Sequence, residues 1–190
     1  RIHHTDAPDG LTDLNRLVID EINRQAAILC KASRITPQDI YLIAVAGNTT
    51  MSHLFAGLPV HWMIREPYIP AVNQFELIRA RQLGLTAAQH AQVFIFPNVG
   101  SYFGGDLISG ILFSGIHQQS ETALLVDVGT NAEVVLGNRD WLMACAGAAG
   151  PALEGGMSRM GTTAAPGVID RVRIDHFESV EEMMAKLQGG

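Results

Sequence analysis

The amino-acid sequence predicts an α/β fold, a mixed sheet with helices packed on it, on two observations. Short apolar runs alternate with segments of helical periodicity. One glycine-rich helical segment also leads directly into three strands in meander order. With 190 residues, 47% hydrophobic and 17% charged, the chain suits one compact domain or two small lobes.

Residues 11–32 read as an amphipathic helix, since Leu11, Leu14, Leu17, Val18, Ile22, Ile28 and Leu29 recur at helical spacing. Cys30 lies near that face and reads as plain packing. The run Ile-Tyr-Leu-Ile-Ala-Val-Ala at 40–46 is of the type buried in a parallel sheet. Gly47 ends it, and Asn48, Thr49 and Thr50 can cap a helix through about residue 58. The proline-rich stretch 66–70 is a fixed loop, followed by a predicted helix at 74–83 and a strand at 92–96. A glycine-rich helix is predicted over 104–116. The meander follows, with strands at 123–127, 133–136 and 141–145. Pro151 suits the first turn of a helix at 151–158, and a strand at 168–174 and a helix at 180–187 complete the pattern.

Bulk composition narrows the function classes. The formal charge is −6 and the basic residues are scattered singly, so no stripe is available for nucleic acid. No apolar run reaches the roughly 18 residues of a membrane helix, and the N-terminal residues do not form a secretory signal. Cys30 and Cys145 lie too far apart in sequence for a cysteine-pair motif, and the histidines include no helical His-x-x-x-His. A reduced, cytoplasmic setting is expected. The absence of an initiating Met and the ending at Gly189-Gly190 read as marks of a longer parent chain.

The sharpest chemical signal is Leu124-Leu125-Val126-Asp127-Val128-Gly129-Thr130-Asn131-Ala132-Glu133. An apolar strand ends in aspartate, and a glycine-bearing turn then presents hydroxyl, amide and backbone N–H groups. Turn amides can cradle phosphate oxygens, glycine allows close backbone approach, and the aspartate can hold hydrated magnesium or orient water. An ordinary hairpin with Asp and Asn as turn formers is the competing reading. Other assignments also stay double. Asp106 is either a favourable first-turn charge or a second carboxylate for water or metal. Asn48, Thr49 and Thr50 are a helix cap whose N–H groups could also face a cleft. Glu133, a strand carboxylate beside the turn, needs a cation or hydrogen bond if it is desolvated.

Taken in chain order, the helix 104–116 and the segment Asp127 to Glu133 resemble the actin, Hsp70 and sugar-kinase superfamily. There they look like the inter-lobe connecting helix and the second phosphate motif. A closer resemblance is to the ATPase domain in reductive activators of corrinoid proteins. It rests on Ala46-Gly47-Asn48-Thr49-Thr50-Met51-x-His53-Leu54-x-x-Gly57-Leu58-Pro59, Pro67-Tyr68-x-Pro70 and Gly104-x-Asp106-Leu107. It rests also on Asp127-x-Gly129-Thr130-Asn131-x-Glu133 and the nonamer from Ala148 to Gly156. Ala132 stands where that family usually has glycine, and Thr162-Thr163-Ala164-Ala165 departs from its usual wording.

The resemblance implies an incomplete ribonuclease-H-like, actin-like ATPase fold. Residues 1–118 would be the remainder of a first lobe and 119–190 the start of a second. It implies ATP and Mg2+ as cofactors, with Asp127 and Asp106 catalytic and Asp127 holding the magnesium through water. Gly129, Thr130, Asn131, Glu133, Gly47, Asn48, Thr49, Gly150 and Gly155 would bind the nucleotide. The first phosphate motif would lie upstream of Arg1, the rest of the adenosine pocket beyond Gly190, and a plant-type 2Fe–2S centre in a separate N-terminal domain. The implied activity is ATP-driven reduction of cobalt(II) to cobalt(I) in a corrinoid partner, with ATPase activity in the full-length protein and little or none in this piece. Homodimerisation is also implied: activators of 2-hydroxyacyl-CoA dehydratases have a similar Cys-x-Ala-Gly-x-Gly element that holds a shared cluster. Here Cys145 is expected to be a buried thiol, with cluster ligation across a dimer as the alternative. The rival functions are a small-molecule kinase of the same superfamily and a non-catalytic interaction module.

Overall fold

The computed structural model describes residues 2–129, 131–150, 162–163 and 165–168. The chain forms two compact units, Arg1–Gly147 and Ala148–Gly190. The secondary structure below belongs to the first, apart from the last residue of its final strand.

Helix α1 (Gly10–Ser33) forms as expected and buries Cys30, but its inward face is centred on Ile19, which the periodicity does not single out, while Leu17, Ile28 and Leu29 of the expected apolar face are exposed. It ends where Arg34 adopts a left-handed conformation and its N–H bonds to the Cys30 and Lys31 carbonyls. Strand β1 (Leu42–Val45) pairs in parallel with β3 (Gln92–Ile95), and β2 (Ile78–Arg79) pairs antiparallel on the other side, giving the order β1-β3-β2. Strand β3 alternates, with Val93 and Ile95 inward and Gln92 and Phe94 outward. The inward pair joins Ile19, Phe55, Ala80, Leu85 and Ala91 in the main core.

Two expectations need correction here. The run 40–46 is not buried throughout. Among the described residues β1 has a strand partner on one side only, and Tyr41 and Leu42 are exposed. The helix predicted over 74–83 is replaced by β2 and a 3-10 turn, Ala80–Leu83. Tertiary pairing overrides the local pattern: Ile78 is registered with Val93, and the Ala80 N–H donates to the Ala91 carbonyl.

Helix α2 (Thr49–Phe55) starts at Asn48, whose side chain accepts from the Met51 N–H, so the predicted cap is present. It stops short of residue 58 because Gly57 takes a positive φ and the Leu58 N–H closes onto the His53 carbonyl. Helix α3 (Gly105–Ser114) starts beside α2. A Cβ on Gly104 would lie 2.5 Å from Asn48 Cα, so only glycine allows this approach.

The predicted meander is β4 (Ala123–Val128), β5 (Asn131–Gly137) and β6 (Leu142–Ala148), in the order β4-β5-β6. Opposed residues of β4 and β5 share a face. Leu125 and Val135 form one such pair, as do Asp127 and Glu133. Val135 is buried, and Leu125 packs near Gly110 of α3. The other face holds Leu124, Val126 and Val128, which are 61%, 48% and 74% exposed.

Cys30 is buried as expected, but Cys145 is exposed, which corrects its reading as a buried thiol. It sits on β6, the last strand of its sheet among the described residues, all of whose residues are exposed. The helices expected at 151–158 and 180–187 lie outside the described residues, as does the strand at 168–174 apart from Val168. Among the described residues, no helix is long and apolar enough to cross a membrane.

Candidate functional site

A cleft of about 500 Å³ opens where the first turn of α2 faces the start of β5. Asn48, Thr49, Thr50 and Met51 line it from α2, and Asn131 and Glu133 from β5. Two segments some 80 residues apart in sequence, Asn48–Thr49 and Asn131–Glu133, therefore share one cavity, whereas Gly47, Asp106, Asp127 and Gly129 are not part of its lining.

The β4–β5 register builds the carboxylate side of the site. Asp127 stands directly opposite Glu133, and like charges in that position oppose each other. Burial first, then the negative charges of Asp106 and Asp127, push the Glu133 carboxyl above its ordinary range. Asp106 reaches this neighbourhood because its N–H donates to the Gly47 carbonyl at 3.3 Å, seating the first turn of α3 beside the start of α2. Its Oδ1 accepts from the Leu107 N–H, the helix-start role read in the sequence, while its charge also reaches Glu133.

Gly129 sits at the tip of the hairpin. Its N–H donates to the Asn131 carbonyl at 2.8 Å, so this amide is engaged within the turn. A Cβ there would meet nothing closer than 3.7 Å. Gly47 is similar, with 3.7 Å to the nearest atom of a built Cβ. Neither glycine is demanded by packing, in contrast with Gly104. Gly150 lies in the second unit with φ 50°, and Thr130 and Gly155 lie outside the described residues.

Sequence reasoning missed several cleft residues. Ser101 and Tyr102 line it from the turn ahead of α3, and Ile2, His3 and Ile64 complete its wall. The only local signal was the glycine-flanked run Val99-Gly100-Ser101-Tyr102-Phe103-Gly104. A small antiparallel bridge, Val99 with Phe103, shapes that run into a loop that projects its middle residues. The Ser101 hydroxyl donates to the Tyr68 carbonyl at 2.6 Å and so ties this loop to the proline-rich segment. Among the described residues, no group of three or more His, Cys, Asp or Glu side chains is arranged to hold a metal ion by direct ligation. Any cation at the carboxylates would need water or a ligand's oxygens to complete its shell.

Known proteins resemble this chain along nearly its whole length. The corrinoid activation enzyme RamQ of Eubacterium limosum is 26% identical over 181 residues, covering 95% of this chain and 30% of that protein. The Co(II) methylated amine-specific corrinoid protein reductase of Methanosarcina barkeri is 33% identical over 144 residues, covering 69% of this chain and 26% of that protein. A solved reductive activator for corrinoid, iron-sulfur protein matches with a TM-score of 0.77 and 41% identity, over 91% of this chain and 28% of that one. The chain thus spans less than a third of the length of these relatives. The RACo middle region matches residues 1–119, and the C-terminal domain of RACo, the ASKHA domain, matches residues 121–189. ASKHA domains have the actin-like ATPase fold, in agreement with the α/β architecture expected from the sequence. On these matches, the chain belongs to the RACo family, whose relatives are named as activators or reductases of corrinoid proteins.

Proposed function

We propose that this domain binds ATP with a divalent cation in the cleft between α2 and β5. In the intact protein, ATP turnover there would drive reduction of cobalt(II) to cobalt(I) in a corrinoid partner. The observation that carries the reading is Glu133, which lines the cleft with Asn48, Thr49 and Asn131 and is paired across the hairpin with Asp127, with the charge of Asp106 also felt there. Two opposed carboxylates repel each other in the bare protein, and a cation relieves that repulsion.

The donor set fits hydrated magnesium, which binds through one or two carboxylates plus phosphate and water oxygens. Bound magnesium would neutralise charge on the polyphosphate during phosphoryl transfer. Asp127 is assigned to hold the ion through water and Asp106 to orient the attacking water. Glu133 is assigned to the cation's outer shell. Gly129 and Gly47, which packing does not require, leave space for the nucleotide to approach the backbone. Asn48, Thr49 and Asn131 would orient the phosphates from two walls.

The corrinoid partner is inferred from the relatives, which are named for activating or reducing corrinoid proteins. The electron is assigned to an iron–sulfur domain elsewhere in the intact protein, and the lobes marked by residues 1–118 and 119–190 to an ATP-driven closure. Differential binding of ATP to open and closed states is what would move that equilibrium.

The test is Asp127→Ala in the intact protein. ATP hydrolysis should fall about 100-fold or more, with unchanged circular dichroism and an unchanged iron–sulfur absorption spectrum. Cobalt(I) formation, followed by absorbance with chemically reduced protein, should fail with it. Near-normal turnover by a well-folded variant would remove Asp127 from the mechanism.

A further inference from the structure

His53 is fully buried on α2 and lies outside the groups assigned to the nucleotide. Its ring packs edge-on to Phe75, with centroids 5.3 Å apart. The Val72 N–H lies 3.3 Å from Nε2, and a backbone N–H can only donate, so Nε2 accepts. Nδ1 therefore carries the proton and donates to the Thr49 carbonyl at 2.7 Å. These two bonds select one neutral tautomer. Burial also holds the ring's pKa below the ordinary imidazole value. Thr49 and Val72, which hydrogen-bond the ring, and Phe75, which packs on it, carry no titratable side chain.

The hydrogen bonds continue past the ring and close on themselves. Asn98, only 3% exposed, donates to the Val72 carbonyl at 3.2 Å and, through a shared amide hydrogen, reaches the Gly100 carbonyl at 3.4 Å. The Thr49 hydroxyl donates to that same Gly100 carbonyl at 3.1 Å. Asn73 braces the circuit, its Oδ1 accepting from both Asn98 and the Gly100 N–H. The first turn of α2, residues 72–73 and residues 98–100 are thereby locked together. The next two residues, Ser101 and Tyr102, line the cleft.

We infer that His53 is a positioning residue for the cleft, holding the turn that carries Ser101 and Tyr102 against the first turn of α2 through its neutral, Nδ1-protonated ring. The consequence for ligand binding rests on the nucleotide reading of the cleft, whereas the hold on the turn does not. Protonating Nε2 would set a donor against the Val72 N–H and open the circuit. The cleft should therefore be intact at neutral pH and loosen on the acid side.

Two variants of the intact protein separate the two arms of the ring. His53→Asn keeps a donor near Nδ1 and loses the acceptor, while His53→Gln keeps an acceptor near Nε2 and loses the donor. Amide hydrogen exchange over 98–103, measured without ligand, should quicken about tenfold in either variant. Mg·ATP affinity should drop about tenfold. Relative to the variants, wild-type affinity should also decline on the acid side of the ordinary imidazole range, a difference in which ATP's own ionisation cancels. Unchanged exchange in both variants would overturn the inference, as would a loosened turn with wild-type affinity. If the wild type binds no Mg·ATP, the nucleotide reading fails by itself, and exchange alone decides whether His53 holds the turn. Imidazole ¹⁵N shifts of the wild type test the tautomer without any substitution, and a protonated Nε2 at neutral pH would overturn the inference.

Discussion

In the first sheet, Val93 and Ile95 of β3 sit in a core completed by Ile19 of α1 and Phe55 of α2. In the second sheet, Leu124, Val126 and Val128 of β4 face outward, while Asp127 lies on the opposite face, across from Glu133. Among the described residues both sheets have three strands, yet they divide the labour differently. The first gains stability from sealing a core against helices. In the second, strand register sets two carboxylates side by side where charge repulsion opposes them. A sheet that exposes one apolar face and, on the other, sets opposed carboxylates beside the packed Leu125 and Val135 is poorly explained by packing alone. The nucleotide and cation proposed for the cleft would account for the carboxylates.

The sharpest way to break this contrast is to remove comparable side chains from the two sheets. Ile95→Ala should cost about 2–4 kcal/mol, because it leaves a cavity among buried neighbours. Val126→Ala, on the open face, should stay within about 0.5 kcal/mol. Urea unfolding of the intact protein measures both. Similar losses would show that the outward face of β4 is covered in solution and that the contrast is false.

Gly104→Ala probes the joint between the two regions and should cost about 1–3 kcal/mol through overpacking. The added Cβ would come within 2.7 Å of the Thr49 N and push α3 away from α2. Gly129→Ala serves as its control, since the same atom there has room. It should leave stability nearly unchanged while weakening Mg·ATP binding. Equal thermal shifts in the two variants would refute the distinction between a packing glycine and a ligand glycine.

The smallest effect is expected at Glu133. Its folded pKa is raised above 4.5, so between that value and the folded one the native state binds more protons than the unfolded state. Stability that is fully present below about pH 4.5 is therefore lost as pH rises through the folded value. Glu133→Gln removes that slope and should be the more stable protein at neutral pH, although it should bind Mg·ATP less tightly. Parallel urea midpoints for the two proteins across this range would show that the carboxylate is not held against repulsion.

The amino-acid sequence alone determined α1, the Asn48 cap, the glycine-rich start of α3 and the three-strand meander, because each follows from local periodicity, capping or turn chemistry. It also singled out Asp127, Asn131, Glu133, Asn48 and Thr49, because strand-end carboxylates and glycine-bearing turns are local patterns. Only the tertiary structure decided that residues 78–79 are a strand, since the competing pull comes from Val93, distant in sequence. Only the tertiary structure brought Ser101 and Tyr102 to the cleft, through bonds to Tyr68, Asn73 and Thr49 that no sequence window spans. His53 shows the boundary most clearly. Its place in a recognisable motif was legible, but its tautomer and its hold on the 98–103 turn depend on three segments meeting in a buried space. There, each polar group must find a partner or carry the cost of desolvation.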